Sequence, residues 1–500
     1  MKLNSNIRQT FRVAKIELSS MFYSPVAWLV LIIFALLIGY DYANVFDSQL
    51  RAQSLGSGLW NVSSAIYNSW MTGILKPILR NLYLYIPLIT MGLMSREYQS
   101  GSIKLLYSSP VKNSSIIFGK YLAMMCYGAA LMSIIGLNVL FSWLTVENFQ
   151  ISMLLVGMLG IYLLILAYSA IGLFMSTLTA YQVVAAVGTL AVLAVLNFIG
   201  DVGQGIDFVR DITFWLSIYG RSISFIEGLL PSADVMYFLI VIGLFLSLSV
   251  LKLNTEKKIM SLRTKILKYS TIIVTALLLG YLTSLPEAKL YYDGTYTKSN
   301  TLSPESQEVM EKLTQPLTIT TYVNILAPDY FAGLPFNRNW DFERYVRFKP
   351  DIKMKYVYYY HHASNPDLDA QYPNMTDEER AKALCKISDL NFKMFKSPEE
   401  IDKVVDLSGE GYQFVRIAEQ KDFLRLFNDN QRHPRETEIT AMLKRFVAKA
   451  PMVAFSTGYG SRSINNYGGR GFYLFAKDLW FRYSLLNQGF DTREIDLDHE

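Results

Sequence analysis

Between Glu147 and Asp201 the chain runs for 53 residues without one Asp, Glu, Lys or Arg. As a single helix this stretch would extend ~80 Å at ~1.5 Å per residue, against the ~30 Å of hydrocarbon in a bilayer. It therefore reads as two membrane spans, with the polar run 176–182 as the turn between them.

The other charge-free intervals follow the same logic, because a charge at mid-bilayer costs ~2.5–3.5 kcal/mol even on a lenient insertion scale. They place spans at 23–40, at 74–94 with Lys76 and Arg80 near one end, between Lys120 and Glu147, between Asp234 and Lys252, and between Lys268 and Glu287. Up to Ser284 there are 19 Lys+Arg and 11 Asp+Glu; from Leu285 onward there are 28 and 31. The expected fold is thus an all-α membrane part of six spans plus a seventh anchor helix, followed by a soluble α/β part. The segments are an interfacial helix at 1–22, the six-span body at 23–252, a basic linker at 253–268, the seventh span at 269–285 and the soluble part at 286–500. With half of its 500 residues apolar (51%) and only two cysteines, the chain is neither disordered nor a disulfide scaffold.

Basic residues crowd one set of connections. Lys2, Arg8, Arg12, Lys15, Arg96, Lys104, Lys112, Lys120, Lys252, Lys257, Lys258, Arg263, Lys265 and Lys268 share one side, against Arg51, Arg210 and Arg221, with Lys76 and Arg80 at a helix end, on the other. By the positive-inside rule that side is the cytoplasm, which puts the N-terminus inside and residues beyond about 285 outside. No cleavable signal precedes the first span. The 199–231 segment is long and apolar, and is expected to form interfacial or re-entrant pieces covered by protein.

The first 22 residues space Ile7, Phe11, Ala14, Leu18 and Met21 as one helical stripe, with Arg8, Arg12 and Lys15 beside it and Glu17 near its end. This is the pattern of an amphipathic helix lying on a lipid surface. After the second span comes Glu97-Tyr-Gln-Ser-Gly101-Ser102-Ile103, then Ser109-Pro110-Val111 and Gly119-Lys120. The spacing gives a short helix stopped by glycine, a turn, a proline stop and a basic re-entry into the membrane.

Glu-x-x-x-Gly-Ser-Ile-x-x-Leu after span 2, with Ser24-Pro25 opening span 1 and Ile171-Gly172-Leu173-Phe174 ending span 4, resembles the signature of ABC-2-type exporter permeases. The resemblance covers about residues 1–252. It implies six spans per subunit, a second permease copy or paired permease, and two cytoplasmic ATPase subunits. It also implies that the N-terminal helix and the loop after span 2 dock on the ATPase, with Glu97, Gly101 and Ser102 as coupling positions; Ser102 stands where the family more often has Thr. The chain has no Gly-x-x-x-x-Gly-Lys-Ser/Thr phosphate loop, so ATP hydrolysis is expected on the partner, and the chain is expected to be neither an enzyme nor dependent on a cofactor or metal. Lys76 and Arg80, one turn apart, are candidates for lining an anionic pathway, or for snorkelling to the interface. Membrane lipids are expected partners and nucleic acid is not.

Beyond 285 the pattern becomes α/β. Ser303-Pro304-Glu305 opens a helix, 317–323 reads as a strand, 340–348 as a helix and 352–358 as a second strand. Thr376 to Glu379 is a capping box. Strands at 412–417 and 423–427, a helix at 436–448, a buried strand at 452–455, a helix at 473–487 and a strand at 492–497 complete the pattern. Asp293-Gly-Thr295, Leu302-Ser303, Pro316-Leu-Thr-Ile and Phe455-Ser-Thr-Gly458-Tyr459-Gly460 resemble the gliding-motility-associated auxiliary subunit of an ABC exporter. Tyr459 and Ser461 stand where that family has His and Glu. The resemblance implies a permease fused to an extracytoplasmic auxiliary domain in the cytoplasmic (inner) membrane, and the chain reads as incomplete at its C-terminal end. His361-His362 lack spaced partners for a metal, and Cys126 and Cys385 are expected not to pair. Two functions follow: an export permease coupled to a separate ATPase, or a non-transporting scaffold that anchors an outer domain to envelope or gliding machinery.

Overall fold

The computed structural model describes residues 2–496 except 60, 70–71, 204–206, 259, 335–339, 389, 405–412, 418–419 and 458–460. The chain forms two compact units: residues 1–202 with 210–300, and residues 203–209 with 301–500.

The first unit is helical. Helix α1 (Lys2–Phe22) is followed by α2 (Pro25–Ser54), with Pro25 in the first turn, where its missing N–H is not needed. Next come α3 (Val62–Tyr67), α4 (Leu75–Thr90), α5 (Gly92–Ser100), α6 (Ile103–Ser108), α7 (Asn113–Thr145), α8 (Ile151–Leu178) and α9 (Gln182–Phe198). Two short helices, α10 (Asp207–Leu216) and α11 (Ile218–Ile226), precede strand β1 (Leu229–Pro231), α12 (Ser232–Lys257), α13 (Leu262–Ser284) and β2 (Tyr291–Asp293). Among the described residues six helices are long and apolar enough to cross a membrane: α2, α4 running on into α5, α7, α8, α12 and α13. The molecule is a multi-pass membrane protein.

The seventh apolar helix, α9, has only 17 residues, ~25 Å of helix. Its start lies beside α5, where Gln182 donates to Gln99, and near its end Asn197 accepts from Tyr168. The re-entrant segment expected after it takes the form of α10 and α11, and Phe225 of α11 is buried against Gly160 of α8. A Cβ on Gly160 would come within 2.4 Å of the Phe225 side chain, so this close approach requires glycine. Helix α8 is the hub of the bundle and buries residues all round, whereas α13 buries Gly280 alone. The expected linker at 253–268 shrinks to the four residues between α12 and α13, because α12 carries its lysines on its last turns and α13 carries its own on its first turns.

Two ends of this unit are defined by contacts. At one, the basal end, α1, the α5–α6 elbow, the start of α7 and the end of α12 meet. At the far end β1 and β2 pair antiparallel, Leu229 opposite Asp293 and Pro231 opposite Tyr291. There Asp293 accepts from the Thr295 amide and hydroxyl and from the Asn300 amide, while Gly294 donates to the Gly228 carbonyl. The Asp-Gly-Thr motif, expected to open the soluble part, is thus a clamp on the membrane unit.

The second unit has α14 (Pro304–Lys312), β3 (Leu317–Asn324), α15 (Trp340–Phe348), β4 (Lys353–Tyr359), α16 (Pro366–Gln371), α17 (Asp377–Ile387), α18 (Pro398–Asp402), β5 (Gln413–Ile417), β6 (Gln420–Leu424), α19 (Glu436–Lys444), β7 (Met452–Thr457), α20 (Tyr473–Ala476) and β8 (Asp491–Asp496). Four strands form a mixed sheet in the order β4-β3-β5-β6, with β3 parallel to β4 and antiparallel to β5. Strand β3 is central and buried along nearly its whole length. Leu317 and Ile319 join a core with Val309, Phe342 and Ile439, while Val323 joins Tyr358, Ala381 and Leu384 in another.

Strands β7 and β8 form a separate parallel pair. The expected buried strand at 452–455 instead alternates exposed and half-buried residues. The expected helix at 473–487 stops after Ala476, because Asp478 accepts from the Trp480 and Phe481 amides and so turns the chain. The loop residues Gly458, Tyr459 and Gly460 lie outside the described residues. Both cysteines are free; burial pushes the Cys385 thiol up to about 11. His361 and His362 follow β4 rather than lying within it, and no group of potential metal ligands occurs among the described residues.

Candidate functional site: the basal charge cluster

Helix α1 packs along α7 through a contact that excludes any side chain. Gly119 faces Val13, and a Cβ there would lie 2.7 Å from the Val13 side chain and 2.8 Å from the Thr10 carbonyl. Of the stripe expected to bury as one face, Ala14 and Met21 are buried, but Ile7 and Phe11 are exposed. The helix therefore has three strips: a protein-facing one (Thr10, Val13, Ala14, Glu17, Met21), a bare apolar one (Ile7, Phe11), and a cationic one (Arg8, Arg12, Lys15), all three cations exposed. Gly119→Val is expected to cost ~1–3 kcal/mol as an overpacking change. Its signature is faster tryptic cleavage after Arg8, Arg12 and Lys15 in detergent.

One turn beyond Val13, Glu17 points into the bundle. Its Oε2 lies 2.6 Å from Lys120 Nζ, and its Oε1 lies 3.1 Å from Arg96. Lys120 Nζ also meets Glu97 Oε1 at 2.6 Å. Lys120 is only 2% exposed and Glu17 6%, so this is a buried ion cluster that joins three chain segments more than twenty residues apart. Bringing such charges out of water is costly unless every partner is present. Glu97 Oε2 is buried with no hydrogen-bond partner, which leaves the elbow carboxylate incompletely held.

After Glu97, Gly101 takes φ +73°, the left-handed conformation that ends α5. Ser102 is half-buried and its hydroxyl bonds that of Ser100. Lys104 and Leu105 stand exposed on α6. The elbow is fastened to α12 as well: the Tyr98 and Tyr107 hydroxyls donate to Glu256 Oε2 at 2.6 and 2.8 Å, and Asn113 donates to Asn254.

The structure thus brings Glu17 and Glu97 together and sets Gly101 and Ser102 on the same elbow. It does not bring Lys76 and Arg80 to this site. Lys76 lies 3.8 Å from Glu227, and Arg80 is exposed on the same side of α4 as Leu84 and Leu88. Sequence reading missed Lys120 as the hub and Glu256 as the anchor. Their partners are 23 to 158 residues away, and the only local hint was a lone acid, Glu256, among cations.

Residues 11–206 match the family model described as ABC-2 family transporter protein. No curated protein matches the chain. The match takes in α1 from Phe11, the whole elbow and helices through α9, and so covers Glu17, Arg96, Glu97 and Lys120. It supports a transmembrane permease of an ABC exporter, a family that implies an ABC ATPase partner.

Proposed function

We propose, from the ABC-2 match of residues 11–206, that the chain is the permease subunit of an export complex and that a separate cytoplasmic ATPase docks on its basal end. The observation that carries this reading is the buried Glu17–Lys120–Glu97 cluster. A push on the exposed tip of the elbow, at Lys104 and Leu105, reaches α1 and α7 through that cluster and reaches α12 through Glu256. The three cations of α1 would then meet anionic headgroups on the cytoplasmic face, with Ile7 and Phe11 in the acyl boundary. Fourteen basic residues on one set of connections support that orientation.

Arg80, Leu84 and Leu88 face away from the bundle's own core. This favours a translocation path that forms between two permease copies rather than within one. Unit 2 would be the extracytoplasmic auxiliary domain, linking export to envelope or gliding machinery in the inner membrane. The chain itself carries out no catalysis in this reading; its work is to convert ATP-driven closure of the partner into helix tilt.

The test is ATPase stimulation in vesicles that hold the permease and its ATPase. Tyr98→Phe with Tyr107→Phe removes both hydroxyls that reach Glu256 and should reduce stimulation about tenfold if the linkage is worth ~1.4 kcal/mol. Membrane insertion and the melting temperature should stay near wild type. Leu105→Asp should instead weaken ATPase binding. Normal stimulation in both variants would leave the chain as a scaffold.

A further inference from the structure

An apolar cavity lies in the membrane unit between α12 and α13, with ≈ 190 Å³ of internal space. Leu244 and Phe245 on α12 and Ile273 on α13 line its deep part; Trp215, Tyr237 and Gly280 flank its upper part. Arg221 and Ala233 sit at the far-end mouth. From Ala233 to Phe245 the slot follows α12 for twelve residues, ~18 Å of helix.

Helix α13 touches the bundle here by a narrow contact. Gly280 rests against the Trp215 ring, where a Cβ would lie 2.6 Å from Cζ2, and it is the one buried residue of the helix. The slot walls give water almost nothing to bond. Thr283 and Ser284 turn their hydroxyls back to the carbonyls of Leu279 and Tyr281. An apolar space of this size stays dry, and both of its long walls are membrane-spanning helices.

The mouth is chemically different. Arg221 donates through one terminal nitrogen to Asp234 at 2.6 Å and through Nε to the Trp215 carbonyl, and its guanidinium lies 4.5 Å from the Tyr237 ring. Its second terminal nitrogen, Nη2, has no hydrogen-bond partner among the described residues. Lys289 adds positive charge beside Asp234. An apolar slot that opens at a planar, fixed guanidinium fits an acyl chain whose phosphate lies at the Arg.

We propose that this slot is a binding site for one membrane phospholipid, with an acyl chain between α12 and α13 and the phosphate at Arg221. The lipid fills the gap that leaves α13 so sparsely packed. The site stands apart from the basal cluster and holds whether or not the chain exports anything.

The test uses full-length protein in nanodiscs of phosphatidylcholine with phosphatidylglycerol that carries a diazirine on one acyl chain. Cross-links are mapped by mass spectrometry. Ile273, Ala276 and Leu277 face the slot, and Leu278 and Leu282 face away at similar depth. Cross-links should favour the slot-facing set and the 237–245 segment by ~10-fold, as a bound lipid held ~1.4 kcal/mol better than bulk lipid requires. Arg221→Gln should cut capture of phosphatidylglycerol by a similar factor, for loss of one charge-assisted hydrogen bond. Ala276→Phe should abolish slot cross-links and leave those at Leu278. Equal labelling of both faces in the wild type would mean ordinary bulk lipid and would overturn the proposal. Absence of slot cross-links, or cross-links to a second copy's helix there, would overturn it too. The wild-type comparison needs no variant to fold.

Discussion

Lys120→Met is expected to be among the most damaging single changes in the membrane unit. It leaves Glu97 without its cation and Glu17 with only the exposed Arg96, and removing one partner of a buried ion pair typically costs ~3–5 kcal/mol. The melting temperature of detergent-solubilised protein should fall steeply, and ATPase stimulation should be lost. The triple change Glu17→Gln, Glu97→Gln, Lys120→Met removes the charges together. It should recover most of the melting temperature, since neutral replacements of a whole buried cluster are often tolerated, but not the stimulation. If Lys120→Met alone melts like the wild type, the cluster is not holding α1 and the elbow to α7. Glu97→Lys is a poorer probe, because it sets a second cation against Lys120 and mixes misfolding with uncoupling.

The second large effect lies in the other unit. Arg482 is 2% exposed and bonds Asp429 at 2.6 Å, Glu438 at 2.7 Å and the His433 carbonyl at 3.0 Å, with its guanidinium 4.4 Å from the Phe427 ring. Arg482→Met strands Glu438, itself buried, and should destabilise unit 2 by ~3–5 kcal/mol. Adding Glu438→Gln should return part of that loss, and urea unfolding of the full chain followed by proteolysis mapped to 301–496 measures both.

The Arg482 hydrogen bond holds the Asp429 carboxyl down at about 2. A carboxylate depressed in this way contributes its stability fully above the unfolded value of ~3.9 and loses it as pH falls through about 2. The wild-type advantage over the variant should therefore narrow between about pH 4 and pH 2.

What the sequence disclosed was what local chemistry decides. Ser303 caps α14 with Pro304 in its first turn, and Thr376 forms its capping box with Glu379 as the spacing implies. Charge-free intervals located the long membrane helices, because the cost of a buried charge acts at each position by itself. They bounded the short α9 as well, with the polar run 176–182 before it and Asp201 three residues past its end. They could not show that α12 and α13 extend into the basic stretch, where lysines on the last turn of one and the first turns of the other reach the interface.

The site was legible only in halves. Glu97, Gly101 and Ser102 stood out by motif and Glu17 as a lone acid among cations. Lys120 read as one more loop cation, because a buried triad is a property of packing rather than spacing. The α1 stripe shows the same limit: periodicity identified an amphipathic helix, but only the close approach at Gly119 determines which strip faces protein and which stays bare. The apolar pattern at 473–487 misled for the opposite reason, since one side chain, Asp478, captured the amides a helix would need.

The account depends most on the basal cluster facing the compartment where ATP is spent. In a background lacking Cys126 and Cys385, single cysteines at Lys104 on the elbow and at Tyr296, which is exposed at the far end, can be offered a membrane-impermeant maleimide in sealed right-side-out vesicles. The account predicts labelling of the Tyr296→Cys chain at once and of the Lys104→Cys chain only after the vesicles are opened. Immediate labelling at Lys104 with protection at Tyr296 would contradict it.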